Sequence, residues 1–486
     1  VFALAAFSIF FAVQIATGLE SQLKRFIDVL AAVEENAAEP VDPAAAFYTG
    51  AIPGMLQRLD PYSVFFDAAQ FQQLQELERS TRKGFGSVVS VLPGRVVVLQ
   101  TLPGTPSARS GLEPGDEIRA INGIRLDFLG LDQLIALLSE SRQRPVSLDV
   151  RKPGSSRLVQ ITMTPQEVAT ASVDLAFLLA EGAGYVRVKS FEAETPKQLR
   201  EAIEMLGGSR LEALVLDLRD NPGGLMPAAL EIAAMFLPPK SLLVSVRGRG
   251  QEREQIRVPD GFASYSFRLA VLINERSASG SEILAGALQD HDRAVIVGTA
   301  SFGKGLVQSV YPLSAGTGLA LTTAFYYTPS GRSIQKPFRN AQLAGKLADR
   351  TEREEYRTDS GRLVTGGGGI QPDHVVLPEA PTRLRMVLEA TGSFTSFATE
   401  ALRKLRPLPP DFEVSPGLLD EFQAYLAQRN IQPSVSEWSA DREWIRSRLQ
   451  QEIFNQAFGV AKGDEVEIRR DPLVRKAMEL LRSPAR

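Results

Sequence analysis

The chain has 486 residues, 44% of them hydrophobic and 23% charged, and a net charge of −3. It contains no cysteine and only two histidines, His291 and His374. That excludes disulfides, thiolate metal sites and cysteine nucleophiles and leaves little for a His-rich metal site, while the slightly acidic balance argues against non-specific nucleic-acid binding, which needs a clustered positive surface.

Length alone suggests about three domains. Residues 1–19 carry no charged side chain. As a helix they would span about 28 Å, close to the roughly 30 Å of a bilayer's hydrocarbon core. They read as an uncleaved transmembrane anchor or the core of a signal peptide, with no A-x-A cleavage pattern behind them. The chain begins at Val rather than Met, as expected of a sequence with further residues upstream. Either reading puts the remainder outside the cytoplasm, in a periplasmic or cell-envelope location, and the favoured anchor would hold it to the inner membrane. Residues 20–82 form an N-terminal helical region. Leu23, Phe26, Ile27, Leu30 and Val33 recur at helical spacing, and further helices are predicted over Ala44–Leu59, ending before Asp60-Pro61, and over Ala68–Leu77.

At residue 83 the texture changes. Strand-like runs at Ser87–Val91, Arg95–Leu99, Glu117–Ile121 and Val146–Arg151 are punctuated by glycines, with a helix over Leu131–Leu138. Lys83-Gly84-Phe85-Gly86-Ser87, then Pro106 with Gly111-Leu112-x-Pro114-Gly115-Asp116-x-Ile118, then Ile121-Asn122-Gly123, resemble a PDZ domain over residues 83–166. In such a domain the main chain of Gly84, Phe85, Gly86 and Ser87 would receive the free carboxylate of a peptide tail.

Residues 167–380 alternate strands and helices, the pattern of an α/β core. Strands are predicted at Gly184–Val188, Ala213–Leu218, Leu269–Ile273 and Ala294–Val297, and helices at Pro196–Leu206, Pro227–Phe236 and Ser281–Leu288. Residues 339–366 read as an exposed insertion. Residues 381–486 read as a helical C-terminal region, in which Leu418, Leu419, Phe422, Tyr425 and Leu426, with Trp438 and Trp444, suggest a core or a dimer surface.

Four motifs compete for the chemistry. Gly298 to Lys304 nearly matches a phosphate-binding loop, but Gly305 stands where a hydroxyl should hold magnesium, and a strand follows instead of a helix. Ser301-x-x-Lys304 has the spacing of a helical Ser-Lys pair, yet Gly303 and Gly305 oppose a helix. His291, between Asp290 and Asp292, and His374 read as solvated loop histidines rather than triad members. The fourth is a Ser-Lys dyad. A serine within Ser277-Ala-Ser279-Gly-Ser281-Glu282 sits between a buried strand and a helix start, near N–H groups that favour developing negative charge. Lys304, between two glycines, could take its proton. A lysine with the ordinary pKa is neutral only about 0.04% of the time at pH 7, so the site must lower that pKa by about 3 units, mainly by desolvation.

Leu216-Asp217-Leu218-Arg219-Asp220-Asn221-Pro222-Gly223-Gly224, Ser277 to Leu288, Phe302-Gly303-Lys304-Gly305-x-Val307-Gln308 and Tyr327 to Gln335 together resemble the C-terminal processing peptidases, or tail-specific proteases. Leu59-Asp60-Pro61-Tyr62-Ser63 and Gly369 to Asp373 extend the resemblance over about residues 40–380. It implies Ser279 as nucleophile, Lys304 as general base and Gln308 as the residue that orients the lysine. The oxyanion hole would take a main-chain N–H from Gly223 or Gly224 and another from Gly280. No metal or other cofactor is implied. The expected partners are proteins with free C-termini, an adaptor, and a second copy of the chain. The alternative is a catalytically silent, membrane-tethered PDZ scaffold.

Overall fold

The apolar runs of residues 170–300 account for the central sheet. The computed structural model describes residues 20–78, 81–169, 171–249, 251–338, 355–405 and 407–482. Residues 1–19 and most of the expected 339–366 insertion lie outside these. Six strands lie side by side in the order Val173–Ala180, Ala183–Val188, Ala213–Asp217, Arg268–Ile273, Val295–Gly298 and His374–Val375. The first pair is antiparallel and every later pairing is parallel. Parallel strands covered on both faces need unbroken apolar sequence, and Ala213–Asp217 is buried throughout. Helices Thr195–Leu206, Met226–Ala234 and Gly280–Asp290 connect the strands, and every residue of the last is buried.

One face of this sheet is closed by a segment expected to lie elsewhere. Tyr185, Val215, Leu272 and Val297 pack against Val474, Ala477 and Leu481 of the helix Pro472–Arg482. The C-terminal region therefore completes the core. Its earlier helices, Arg383–Ala390, Ser393–Leu405, Pro416–Ala427 and Val435–Phe458, share a separate apolar centre. Leu418, Leu419, Phe422, Tyr425 and Leu426 are buried in it, and Trp438 and Trp444 pack on it. These residues satisfy their apolar surface within the chain, so they do not supply the dimer surface considered for them.

The region that resembles a PDZ domain is a sheet of five strands, Ser87–Leu92, Arg95–Thr101, Glu117–Ile121, Val146–Arg151 and Leu158–Met163, joined by the short strand Ile124–Arg125 and accompanied by the helix Leu131–Ser141. Strands Thr81–Gly84 and Gln166–Ala169 pair at its base and carry the chain in and out. Residues 355–357 and 363–365 form an antiparallel hairpin. Arg362 pins it through ion pairs to Asp292 and Asp373.

Among the described residues, 20–73, 307–323 and 337–338 form a compact unit of their own, distinct from the rest. Residues 43–57 are helical, as expected, but with a π-helical stretch at Ala46–Ala51. Helix 20–36 keeps Leu23, Ile27 and Val33 exposed. Strand Val64–Phe66 pairs with Gly318–Ala320, which takes residues 307–323 into this unit rather than the α/β core predicted for them.

Candidate active site

The carboxyl end of strand Arg268–Ile273 leads through a short turn into helix Gly280–Asp290. Ser277 and Ser281 are fully buried, and their hydroxyls donate to the carbonyls of Leu218 (2.8 Å) and Asn221 (3.0 Å). They are scaffold. Ser279, between them, is half-buried and has φ 52°, ψ −110°. A residue with a side chain held there costs on the order of 1–3 kcal/mol and persists only where its surroundings over-determine it.

Those surroundings centre on Glu282. Its Oε2 accepts the main-chain N–H of Ser279 (2.9 Å) and of Lys304 (2.9 Å). Its Oε1 accepts the Ser301 hydroxyl (2.5 Å) and the Gly303 N–H (2.7 Å). The serine and lysine nitrogens, sharing one oxygen, therefore lie within roughly 6 Å of each other. Burial pushes the Glu282 carboxyl above its ordinary pKa, while the four hydrogen bonds pull it back. On the other side, the fully buried Tyr326 hydroxyl donates to Lys304 O (2.6 Å) and lies 3.2 Å from Ser279 O. Burial, then the charge of Glu282, raises its pKa well above the ordinary value and keeps it a donor.

The lysine loop is extended, not helical. Gly305 N–H donates to Gln335 Oε1 (2.9 Å), and Lys336 bonds Gly303 O through its main chain (3.0 Å) and Ser301 O through its ammonium (2.9 Å). Gly303 has φ +90°, and a Cβ there would stand 2.5 Å from Lys336 Cγ, so only glycine fits. The strand Leu306–Pro312 follows, which removes the phosphate-loop reading.

The Asn221–Gly224 turn lies against the serine. A Cβ on Gly223 would be 2.8 Å from Ser279 Cβ and 2.9 Å from Gly280 N. Its own N–H, however, donates to Asn221 Oδ1 (2.9 Å), and the Asn221 amide is held by Val188 O (2.9 Å). Gly223 is thus not the oxyanion donor expected of it, because its proton is already engaged. Gly280, the first residue of the helix, has an N–H with no intrahelical acceptor, and Gly224 is the remaining glycine of the turn.

Gln308 lies on Leu306–Pro312, in the smaller unit, and its Nε2 donates to Tyr62 O (2.7 Å). Asp60 shapes that carbonyl's turn by accepting from Tyr62 N, Ser63 N and Ser63 Oγ. His291 is not solvated: its ring nitrogens contact Asp359 Oδ2 and Leu242 O, each at 2.7 Å. His374 sits on the edge strand pairing with Val297.

The model of Peptidase family S41 matches residues 182–341, and a PDZ domain model matches 97–152. A carboxyl-terminal-processing protease from Synechocystis is 34% identical over 309 residues, covering 62% of this chain and 72% of the relative. The carboxy-terminal-processing protease of Bartonella bacilliformis is 35% identical, covering 65% and 73%. The chain belongs to the carboxyl-terminal-processing protease family. It is a serine-type peptidase. A solved photosystem II D1 C-terminal processing protease is 28% identical, covering 76% of this chain and 96% of that one, with a TM-score of 0.40.

In this processing protease the PDZ domain carries an apolar cavity of about 90 Å³. Phe85, Ser87 and Val89 form one wall, Leu138 and Arg142 line it from the end of the helix, and Leu112 and Ile121 also line it. Gly86, with φ +74°, turns the chain at its rim, where Leu102 N–H and the Thr105 hydroxyl bond its carbonyl. Gly84 ends the base strand opposite Gln166.

Glu282 and Tyr326 were not among the residues read from sequence. Ser279-x-x-Glu282 has the spacing of a helix capping box, which could have flagged the acid. Nothing local marks Tyr326. Replacing Glu282 by Gln sets an amide N–H₂ against at least one main-chain N–H and leaves it unbonded. We expect Glu282→Gln to lower kcat about a hundredfold or more while the protein remains folded, measured by steady-state hydrolysis and circular dichroism.

Proposed function

We propose that this protease uses a Ser279–Lys304 dyad, selects proteins by their free C-termini through the PDZ domain, and works outside the cytoplasm. The observation that carries the dyad is the shared Glu282 oxygen, which ties the main chains of Ser279 and Lys304 together. Neutral Lys304 Nζ takes the proton of Ser279 Oγ as that oxygen attacks the scissile carbonyl carbon. The N–H groups of Gly280 and Gly224 receive the resulting oxyanion. Collapse expels the amine, protonated by the Lys304 ammonium, and leaves an acyl-enzyme. Lys304 then activates a water that releases the new C-terminus. Gln308, held at Tyr62 O, is the residue assigned to orient the lysine.

Ser279→Ala and Lys304→Ala should each lower turnover of an unstructured protein on the order of a thousandfold or more. Wild-type activity should climb with pH as Lys304 loses its proton, because only the neutral amine is a base. Full activity in Lys304→Ala would exclude the dyad, and full activity in Ser279→Ala would exclude Ser279 as the nucleophile.

Tail selection is supported by the apolar cavity beside the Gly84–Ser87 segment, which joins an aliphatic pocket to main-chain N–H groups. A substrate peptide ending in a free carboxylate should bind and be cut at least about tenfold better than the same peptide amidated. Equal KM values for the two would overturn tail selection.

The extracytoplasmic location rests on the uncharged run of residues 1–19. Among the described residues, no helix is long and apolar enough to cross a membrane. Because the chain has no cysteine, a single cysteine placed at exposed Ser155 reports its side of the membrane. A membrane-impermeant maleimide should label it in cells with the inner membrane intact; labelling only after lysis would refute the assignment.

A further inference from the structure

A large cavity lies away from the catalytic loops. It holds about 820 Å³ and lies between the PDZ domain and the C-terminal helices. That volume falls in the range of small-molecule sites. Six cationic side chains line it: Arg95, Arg151 and Lys152 from the PDZ domain, Arg403, Lys404 and Arg429 from the helical side. The only carboxylates among the lining residues are Glu117 and Glu400.

Four of the cations are already matched. Arg151 pairs with Glu117, Lys152 with Asp116 (2.8 Å), Lys404 with Glu421 (3.5 Å) and Arg429 with Glu400 (3.2 Å). Arg95 and Arg403 have no carboxylate within ion-pair distance among the described residues. Arg95 gives one N–H₂ to the Ser396 hydroxyl (2.6 Å), which crosses from the PDZ domain to the helix Ser393–Leu405. Arg403 packs its guanidinium on Gly154, where a Cβ would stand 2.5 Å from Cζ. The glycine, at φ +78°, lets a charged fork and a loop main chain approach closely. Ser155, Ser393 and Thr399 add hydroxyls to the wall.

We propose that this cleft binds a phosphate-bearing anion, which bridges Arg95 and Arg403 and so fastens the PDZ domain to the helical region. A guanidinium presents a rigid fork that matches phosphate oxygens two at a time, and hydroxyls complete the oxygen shell. A concave wall with excess positive charge also concentrates anions. An acidic polypeptide suits the cleft less well. Strands Arg95–Thr101 and Val146–Arg151 are each paired on both sides, so a peptide finds no free edge to add to. The ligand is a soluble phosphate ester or a lipid headgroup, two sources of one chemistry.

The test uses the full chain in neutral detergent, titrated in one arm with inorganic pyrophosphate and in the other with phosphatidylglycerol incorporated into the micelles. Calorimetry and the thermal unfolding midpoint are the readouts. Wild type should bind in at least one arm, unfold at a higher temperature when bound, and bind more weakly as salt rises. Pyrophosphate alone binding identifies a soluble ligand, and phosphatidylglycerol alone a headgroup. The R95A/R403A double variant should bind about tenfold or more weakly, one broken charged hydrogen-bond set being worth that much. R95K/R403K keeps the charge without the fork, so it should fall between the two and serves if the alanine variant does not fold. Hydrolysis of an unstructured protein without added anion should be the same in wild type and both variants. No binding in either arm, or equal affinity in wild type and R95A/R403A, overturns the proposal.

Discussion

The Glu282 carboxylate accepts four hydrogen bonds, two on each oxygen, where water does not reach it. An ionised carboxylate in such a place is tolerated only when its lone pairs are filled. Filling them requires main-chain donors from two segments more than twenty residues apart, the start of helix Gly280–Asp290 and the loop before Leu306. Neither segment can shift without unbonding the acid. Tyr326 applies the opposite polarity to the same pair, offering a proton to the carbonyls of Lys304 and Ser279. An acid that gathers N–H groups and a phenol that gathers carbonyls make the helix start and the loop a single body. The unusual backbone of Ser279 is stable within it.

A second buried network fixes what stands opposite. At the end of strand Ala213–Asp217, Asp217 accepts from the Tyr185 hydroxyl (2.6 Å) and pairs with Arg219 (2.6 Å), which also reaches Asp471 (2.5 Å). Asp471 in turn caps the helix Pro472–Arg482 through Leu473 N–H (2.7 Å). The turn that brings Gly223 against Ser279 therefore starts from a strand end whose direction is fixed by ions. Such buried pairs add specificity of arrangement more than stability. Asn221 extends the same logic: its side chain holds Val188 and Gly223, while its carbonyl takes Ala278 N–H and the Ser281 hydroxyl.

Much of this was legible from sequence because it is local. The α/β alternation, the PDZ strands and the helix after Ser279 follow from periodicity and glycine placement. So does the strand at Leu306, which distinguishes the Lys304 loop from a phosphate loop. What was not legible depends on partners distant in sequence. Gly223 reads as a free donor until Asn221 Oδ1 is seen to hold it. His291 reads as solvated until the hairpin carrying Asp359 folds over it. Leu418 and Phe422 have the pattern of an interface as much as of a core, since a helical stripe records only that one face is apolar, not what covers it. The strand Gly318–Tyr327 was missed because its inward and outward residues are both largely apolar, which blurs the period of two.

The helix Pro472–Arg482 covers a sheet whose first strand begins about 300 residues earlier. A chain made from its N-terminus exposes that sheet face until this helix emerges. The sheet positions the serine turn and the glycine turn alike. A nascent or truncated copy thus has an open apolar face and an unfinished centre at the same time. Synthesis itself delays the assembly of this peptidase until the helix Pro472–Arg482 has been made.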